Sequence, residues 1–482
     1  MPFGAMRIGP DTTNNTLDLG YRHCSGYNWV DSNIRAFSHT RLVNAGVTDL
    51  GNFGVMPTNR RSLKDDLKAA INSDLWTSRY SKESEKAQPG LYSVYLDGID
   101  VQADILVHNK FAGVHKYTWN PRQTPDKTSV PGLVFDVCHA ADIHLEKDGA
   151  CMASALTIEQ DRHSFSAEVL FQGSLSGRGN SQGLNMYMHA ALVSPDSARP
   201  LELDEWLVCT GDKQCSVVTD KLREKDNEPA TFQGTSGKLL SHVRFLSLDR
   251  KDESATTTPF TVELVVGLSF VSAEQAKTNL ISSLPEKLKS VPKTGVSYFD
   301  SCKDASRNEW CSALTRVQLA DFETTAATTS TSSTSKSSVG HPSIPPIPFD
   351  KEERDFLTIA YSSLYRTLLS PTQYSEAGGE YLGMDKQVHN SRTERAAKAM
   401  REVQSPASLD YFSDLSLWDT FRTQHPWLLL TRPDVAVGTL RSIGEMTSVA
   451  NRFPKWVLAS GESGCGGNSS GLSACHCARR DG

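Results

Sequence analysis

The chain has 482 residues, 38% of them hydrophobic, which supports an expectation of roughly two to four domains with substantial cores. Its net charge of −6 and pI near 6.1 arise from interspersed acids and bases, so it offers nucleic acid no basic face and membrane lipid no polybasic block. No apolar run reaches the roughly 18 residues of a spanning helix; the best, Val262 to Val271, is interrupted by Glu263, Gly267 and Ser269.

The first residues, Met1-Pro2-Phe3-Gly4-Ala5-Met6-Arg7, lack a charged segment followed by an apolar one, so no secretory signal is read and, taken literally, a cytosolic product is expected. From there to about Val271, short segments alternate apolar and polar residues between turn signals. Leu91 to Leu96 follows Pro89-Gly90, and Val101 to Val107 follows soon after. This pattern predicts many antiparallel strands, arranged as a large β-sandwich rather than a barrel. Within it Asp142, His144 and Glu146 alternate, which puts three metal-capable side chains on one strand face, the pattern equally of a solvent-facing polar row. The spacings Cys209/Cys215 and Cys302/Cys311 suit one disulfide, two or none. Sequons at Asn14-Asn15-Thr16 and Asn468-Ser469-Ser470 matter only in an exported chain.

At Ser272 the period changes from 2 to 3.6, and Ser272 with Gln275 three residues on has the form of a capping box. Thr324 to Ser338 is nearly all Thr, Ser and Ala, and Pro342 to Pro348 is proline-rich, so 324–348 is expected to be a mobile insertion. Asp350 to Leu369 places Phe356, Ile359, Ala360, Ser363, Leu364, Thr367 and Leu368 on one helical stripe, and the rest reads as further helices broken at Gly378-Gly379 and Pro406. The expected organisation is a sandwich domain at 1–271, a helical linker at 272–349 and an α-helical C-terminal part at 350–482.

Tyr411 to Trp427 gathers aromatic residues, Asp419, Arg422 and His425 into what reads as one short helical segment, a composition suited to a sugar. It contains Ser-Leu-Trp-Asp-Thr-Phe-Arg at Ser416 to Arg422, which resembles the signature of glycoside hydrolase family 92, calcium-dependent exo-α-mannosidases. The order of further motifs follows the same family: Pro2 to Met6, Ser25-Gly26-Tyr27, Ala36 to Thr40, Pro89 to Val94, Ala112 to Tyr117, Ser269 to Ser272, Leu364 to Thr367, Phe453 to Trp456 and Gly461 to Cys465. The departures are Arg41, Val43 and Asn44, where the family usually has His and then Ser-Gly.

The resemblance implies an N-terminal sandwich, a helical linker and the first portion of an (α/α)6 barrel. It also implies inverting hydrolysis of terminal α-mannosides of N-glycans, with Ca²⁺ on two sugar hydroxyls and a pair of carboxylic groups about 6.5–9.5 Å apart. In the family the general acid, general base and calcium ligands lie downstream of Trp-Asp-Thr-Phe-Arg, so no catalytic residue and no metal ligand is expected in this chain, and no turnover. After Cys465 the text carries neither helical nor strand period and no family pattern, and it reads like a frameshift or read-through. The missing helices are expected to leave apolar helix faces exposed. Full-length members are often exported.

A mannose-containing glycan is the expected partner, and the expected contacts are Trp418, Asp419, Arg422, Glu462, Trp29 and His39. In one helix Trp418 and Arg422 would share a face, with Asp419 about 100° away; the plain alternative is a buried tryptophan beside a surface ion pair. Glu462 sits in a Gly-Glu-Ser-Gly-Cys loop, and Trp29 and His39 would line the sandwich side. Cys475-His476-Cys477 lacks a second ligand pair for zinc, and Gly467 to Gly471 lacks the strand-to-helix context of a nucleophile elbow. The rival reading is a non-catalytic carbohydrate- or partner-binding β-sandwich protein; a peptide N-glycanase would need a Cys-His-Asp arrangement that cannot be assembled here.

Overall fold

The computed structural model of the chain describes residues 1–14, 23–43, 49–60, 76–120, 129–141, 150–173, 183–211, 214–218, 228–234, 238–246, 259–290, 293–318, 351–393 and 409–462. Among the described residues, the alternating runs Leu91 to Leu96 and Val101 to Val107 are strands. In chain order come β1 (Gly9–Thr13), β2 (Asn33–Ser38), β3 (Gly54–Arg60), β4 (Ser78–Arg79), β5 (Lys86–Gln88) and β6 (Leu91–Leu96). Next are β7 (Val101–Asn109), β8 (Ala112–Trp119), β9 (Ser129–Asp136), β10 (Cys151–Ile158), β11 (Ser164–Phe171) and β12 (Leu184–Val193). Then follow β13 (Leu203–Thr210), β14 (Cys215–Val217), β15 (Ala230–Gly234), β16 (Leu239–Phe245) and β17 (Phe260–Ser269).

They form two antiparallel sheets. One has eight strands in the order β1-β2-β3-β9-β16-β13-β14, with β4 on β2; the other has nine, β15-β10-β11-β12-β17-β8-β7-β6-β5. The sheets pack face to face through aromatic contacts, with Phe135 and Phe165 at 4.8 Å between ring centroids and Trp119 and Phe245 at 6.0 Å. The alternation of β17 is read out on both of its faces. Val262, Leu264, Val266 and Leu268 enter the inter-sheet core, while Val265 joins a second cluster outside it.

That outer face is covered by helices α1 (Ala273–Ser283) and α2 (Tyr298–Leu314), which contribute Leu280, Tyr298, Phe299 and Cys302. Glu263, also on the outer side of β17, accepts from the Tyr298 N–H at 2.7 Å and from Ser297 Oγ at 2.6 Å, binding the start of α2 to the sheet. The capping box at α1 forms by half. Ser272 Oγ accepts from the Gln275 N–H at 3.1 Å, but the Gln275 amide turns along the helix to Asn279, and the Ser272 N–H goes to Ser269 instead. Ser272→Ala is expected to cost about 1 kcal/mol, read from the urea midpoint, with a change under a few tenths refuting the cap.

The C-terminal part is helical, with α3 (Lys351–Thr367), α4 (Leu417–Thr420), α5 (Gln424–Thr431) and α6 (Pro433–Ala450). Its core joins Trp310, Leu368, Phe412, Leu428 and Val435 to Phe3 from the start of the chain, whose N–H donates to the Leu368 carbonyl at 2.8 Å. The stripe on α3 is only half used. Leu364 and Leu368 are buried, whereas Phe356 and Ile359 are 62% and 67% exposed. Leu430, Leu440 and Phe453 are exposed as well.

Two expectations about this part are corrected. Between α3 and α4 the chain forms short strands rather than broken helices, including a hairpin of Glu380–Leu382 with Val388–Asn390. Tyr411 to Trp427 is not one helix: Asp414 takes a left-handed φ of 59°, two short strands flank it, and α4 ends at Thr420.

Cys209 and Cys215, opposite each other on β13 and β14, form a disulfide, and so do Cys138 and Cys151. Cys302 and Cys311 are free. Both lie on α2, where nine positions amount to about 13 Å of helix rise, beyond a disulfide's reach. Among the described residues no helix is long and apolar enough to cross a membrane. The Thr/Ser/Pro-rich stretch, Asp142, His144, Glu146, Asn468 and Cys475 to Cys477 lie outside the described residues.

Candidate functional site

A three-stranded sheet joins the segments singled out at the C-terminal end. Leu415–Ser416, just ahead of α4, pairs with Trp456–Leu458, which pairs with Gly461–Glu462. The backbones of the Trp418-to-Arg422 motif and of Glu462 are therefore brought to one sheet. Asp419 is exposed and accepts from Ser416 Oγ at 2.5 Å. Arg422 lies past the end of α4, exposed, with its guanidinium 5.2 Å from the Phe421 ring. It does not share a helix face with Trp418, because the helix has stopped.

Lys386, in the turn of the 380–390 hairpin, donates to the Ser460 carbonyl and to Ser460 Oγ, both at 2.9 Å, and so pins the hairpin beside Gly461 and Glu462. Between this hairpin and α6 lies a cleft of about 560 Å³. Tyr411, the first residue of the singled-out stretch, stacks in its wall on Tyr381 at 4.1 Å and 12°, and Tyr381 stacks in turn on His389 at 5.6 Å. The Tyr381 hydroxyl donates to Glu445 Oε2 at 2.6 Å, and burial, followed by the Glu445 hydrogen bond, raises its pKa.

His389 Nε2 lies 2.9 Å from Asp385 Oδ2. Burial would raise the Asp385 carboxyl, but the Gln387 N–H and His389 outweigh it and hold the group below the usual carboxylate range. Side chains of Asp385, His389 and Glu445 remain 32%, 42% and 41% open to solvent. The cleft thus combines a ring stack whose outer member is accessible with partly exposed carboxylates whose remaining lone pairs can accept hydrogen bonds from hydroxyls, a set of contacts suited to a polyol. Sequence reasoning passed over it. The available signals were Gly378-Gly379 and Gly383 around a short alternating run, and the i, i+4 pair Arg441 and Glu445.

The sandwich-side residues lie elsewhere. Trp29 is 66% exposed, and with Tyr27 and Tyr80 it surrounds Lys82 Nζ at 4.6–4.9 Å. His39 is fully buried in the sandwich, with both ring nitrogens engaged, so it presents nothing to a ligand. The Phe53 carbonyl can only accept, so His39 Nδ1 carries the proton, at 2.6 Å. His39 Nε2 must then accept from His115 Nε2–H at 2.9 Å, and His115 Nδ1 accepts from the Tyr117 hydroxyl at 2.9 Å. Burial lowers His39 to about 4 and His115 well below the usual imidazole range.

Arg41, which stands where the family usually has histidine, pairs with buried Asp11 at 2.8 Å and also donates to the Ser25 and Gly9 carbonyls. Burial would raise Asp11, but Arg41, then the hydrogen bond from His139, bring it down to about 2. The loop is held by this ion pair rather than opened for a ligand. Among the described residues no three His, Cys, Asp or Glu side chains come together as a group that could hold a metal ion.

The profile of the glycosyl hydrolase family 92 N-terminal domain matches residues 1–207, and that of the glycosyl hydrolase family 92 catalytic domain matches residues 288–475. The chain belongs to glycoside hydrolase family 92. No curated protein matches it. Among solved structures it is similar to the family GH92 α-mannosidase BT3965 of Bacteroides thetaiotaomicron, with a TM-score of 0.65 and 19% identity over 97% of this chain and 49% of that one. That protein has also been solved in complex with mannoimidazole. The family GH92 inverting mannosidase BT2199 of the same organism gives a TM-score of 0.59 and 18% identity over 97% of this chain and 47% of that one. The chain thus spans about half the length of the family 92 structures it matches, and at these identities the likeness shows the fold.

Proposed function

We propose that this chain is the sandwich and first helical portion of an α-mannosidase-type glycosidase that acts on non-reducing terminal α-mannosides of N-glycans, with inversion at the anomeric carbon. The observation that carries this reading is the match of both family domains to a chain whose C-terminal part holds an open cleft of stacked rings and carboxylates. Asp385 and Glu445 accept hydrogen bonds from sugar hydroxyls there, and Asp419 extends the contact along the neighbouring sheet. Asp385, held low, is ionised at neutral pH and cannot serve as the general acid. Its part there is to hold sugar hydroxyls, and no step is assigned to calcium.

Two assays test this. In titrations with α-1,2-mannobiose, the chain is expected to bind, and Asp385→Ala and Glu445→Gln to weaken binding about tenfold, one bidentate or charge-assisted contact each. Equal affinity in all three proteins, or none in the parent, removes the cleft from the reading. Incubation of a longer protein containing this chain with the same disaccharide, followed by NMR, is expected to release β-mannose first; the α-anomer as first product refutes inversion.

A further inference from the structure

The sandwich carries two disulfides and, at one edge, an open asparagine amide. Cys209 and Cys215 stand directly opposite each other on β13 and β14 with Cα atoms 4.1 Å apart, and Cys138, just past β9, is bridged to Cys151 of β10 with Cα atoms 5.6 Å apart. Such bridges form and persist in oxidising compartments and are rare where thiol reductants keep cysteines reduced. Two of them in one sandwich therefore place its folding in an oxidising compartment rather than in the cytosol.

The amide belongs to Asn14. Strand β1 ends its sheet, with β2 on one side and no strand on the other among the described residues. Thr13, its last residue, pairs with Asn33 and is buried, and Asn14, the first residue beyond the ladder, is exposed. The Ser32 N–H donates to Asn14 Oδ1 at 3.2 Å. A backbone N–H can only donate, so this contact commits the amide oxygen to the protein and leaves Nδ2 on the other side. Among the described residues Nδ2 meets no hydrogen-bond partner. The sequence Asn14-Asn15-Thr16 has a hydroxyl residue two positions on and no proline between, which is the acceptor pattern for N-linked glycosylation. The tripeptide alone is a frequent coincidence. An accessible amide on a chain folded under oxidising conditions supplies what the pattern lacks, access for the transferase and a compartment in which it can work.

We propose that Asn14 is an N-glycosylation site, filled as the chain passes through an oxidising secretory compartment. Asn14 Nδ2 attacks the anomeric carbon of an oligosaccharide carried on a polyprenyl pyrophosphate. The nitrogen–carbon bond forms and the carbon–oxygen bond to pyrophosphate breaks. The lipid pyrophosphate leaves with the electron pair, and the amide nitrogen gives up one proton to a base of the transferase. This site is independent of the mannosidase reading, since Asn14 does not line the sugar cleft.

The test is a peptide map of the full chain purified from its native source, digested without reduction and then treated with peptide N-glycanase in heavy-oxygen water. The map is expected to recover Cys138 linked to Cys151 and Cys209 linked to Cys215, and to show Asn14 converted to an aspartate that carries heavy oxygen. Produced in the same cells, Thr16→Ser is expected to keep the label and Thr16→Ala to lose it. Unlabelled Asn14 in a chain whose bridges are formed overturns the proposal, and so do free thiols at those four cysteines, because the chain then never entered an oxidising compartment. Both results are read on the unmodified chain, so they hold even if neither variant folds. A label that survives Thr16→Ala also overturns it, since the conversion would then be spontaneous deamidation.

Discussion

Glu376→Ala is expected to lower the stability of the folded chain by at least about 3 kcal/mol, a large part of the roughly 5–15 kcal/mol typical of a domain. Glu376 is buried where three parts of the chain meet. Its Oε1 accepts from the Phe270 N–H at 2.8 Å and from Ser269 Oγ at 3.0 Å, and its Oε2 from Asn279 Nδ2 at 2.7 Å. The carboxylate thus clasps the end of β17 and the middle of α1 from a loop of the helical part. Removing it strands up to three buried donors at about 1–3 kcal/mol each. Asn279 cannot rotate to relieve this, because its Oδ1 already accepts from the Ala377 N–H at 3.0 Å.

Glu376→Gln is expected to cost about half as much, since it keeps one acceptor and sets the other position, now an amide N–H, against Asn279. Urea midpoints of the three proteins decide it. A loss under 1 kcal/mol for the alanine variant would show that water replaces the clasp without penalty. The same group has a pH signature. Burial pushes its carboxyl up to about 7 against the three donors, so between 4.5 and 7 the folded state holds the proton more often than the unfolded one. This contribution is fully present below 4.5 and is lost as pH rises through 7.

The second large effect has the opposite sign and outweighs the first. Burial lowers His39, His108 and His189 to about 4, His242 to about 3, and His115 well below the usual imidazole range. With unfolded values near 6.5, each contributes stability that is fully present above pH 6.5 and lost as pH falls towards its folded value, on the order of 3 kcal/mol apiece for His108, His189, His242 and the coupled His39–His115 pair taken as one. Their sum rivals the whole stability of a domain, so the sandwich is expected to hold a constant urea midpoint from pH 8 to 7, soften steeply below 6.5, and unfold before pH 4. The His39–His115 pair gives the structural reason. Protonating His39 Nε2 sets two N–H groups against each other at 2.9 Å inside the core. A midpoint unchanged between pH 7 and 5 would refute neutral burial of these rings.

Local residue pattern alone determined the strands, the switch to helix at Ser272 and the stripe on α3, because each depends on periods of 2 or 3.6 that neighbouring residues display directly. It also determined the family, since the order of short motifs along the chain needs no coordinates. What packs against what was a tertiary decision. His39 sits in a motif and looked accessible, yet two sheets closing on each other put it in the core. Arg422, expected on one helix with Trp418, falls past a helix that ends at Thr420. The cleft of Tyr381, Asp385, His389, Tyr411 and Glu445 draws on residues up to 64 positions apart, joined at Tyr381 and Glu445 by a hydrogen bond. No periodicity announces such a pairing, because it follows from where a hairpin is pinned by Lys386 and where α6 comes to lie, and both are set by burial summed over the whole chain rather than by any local run of residues.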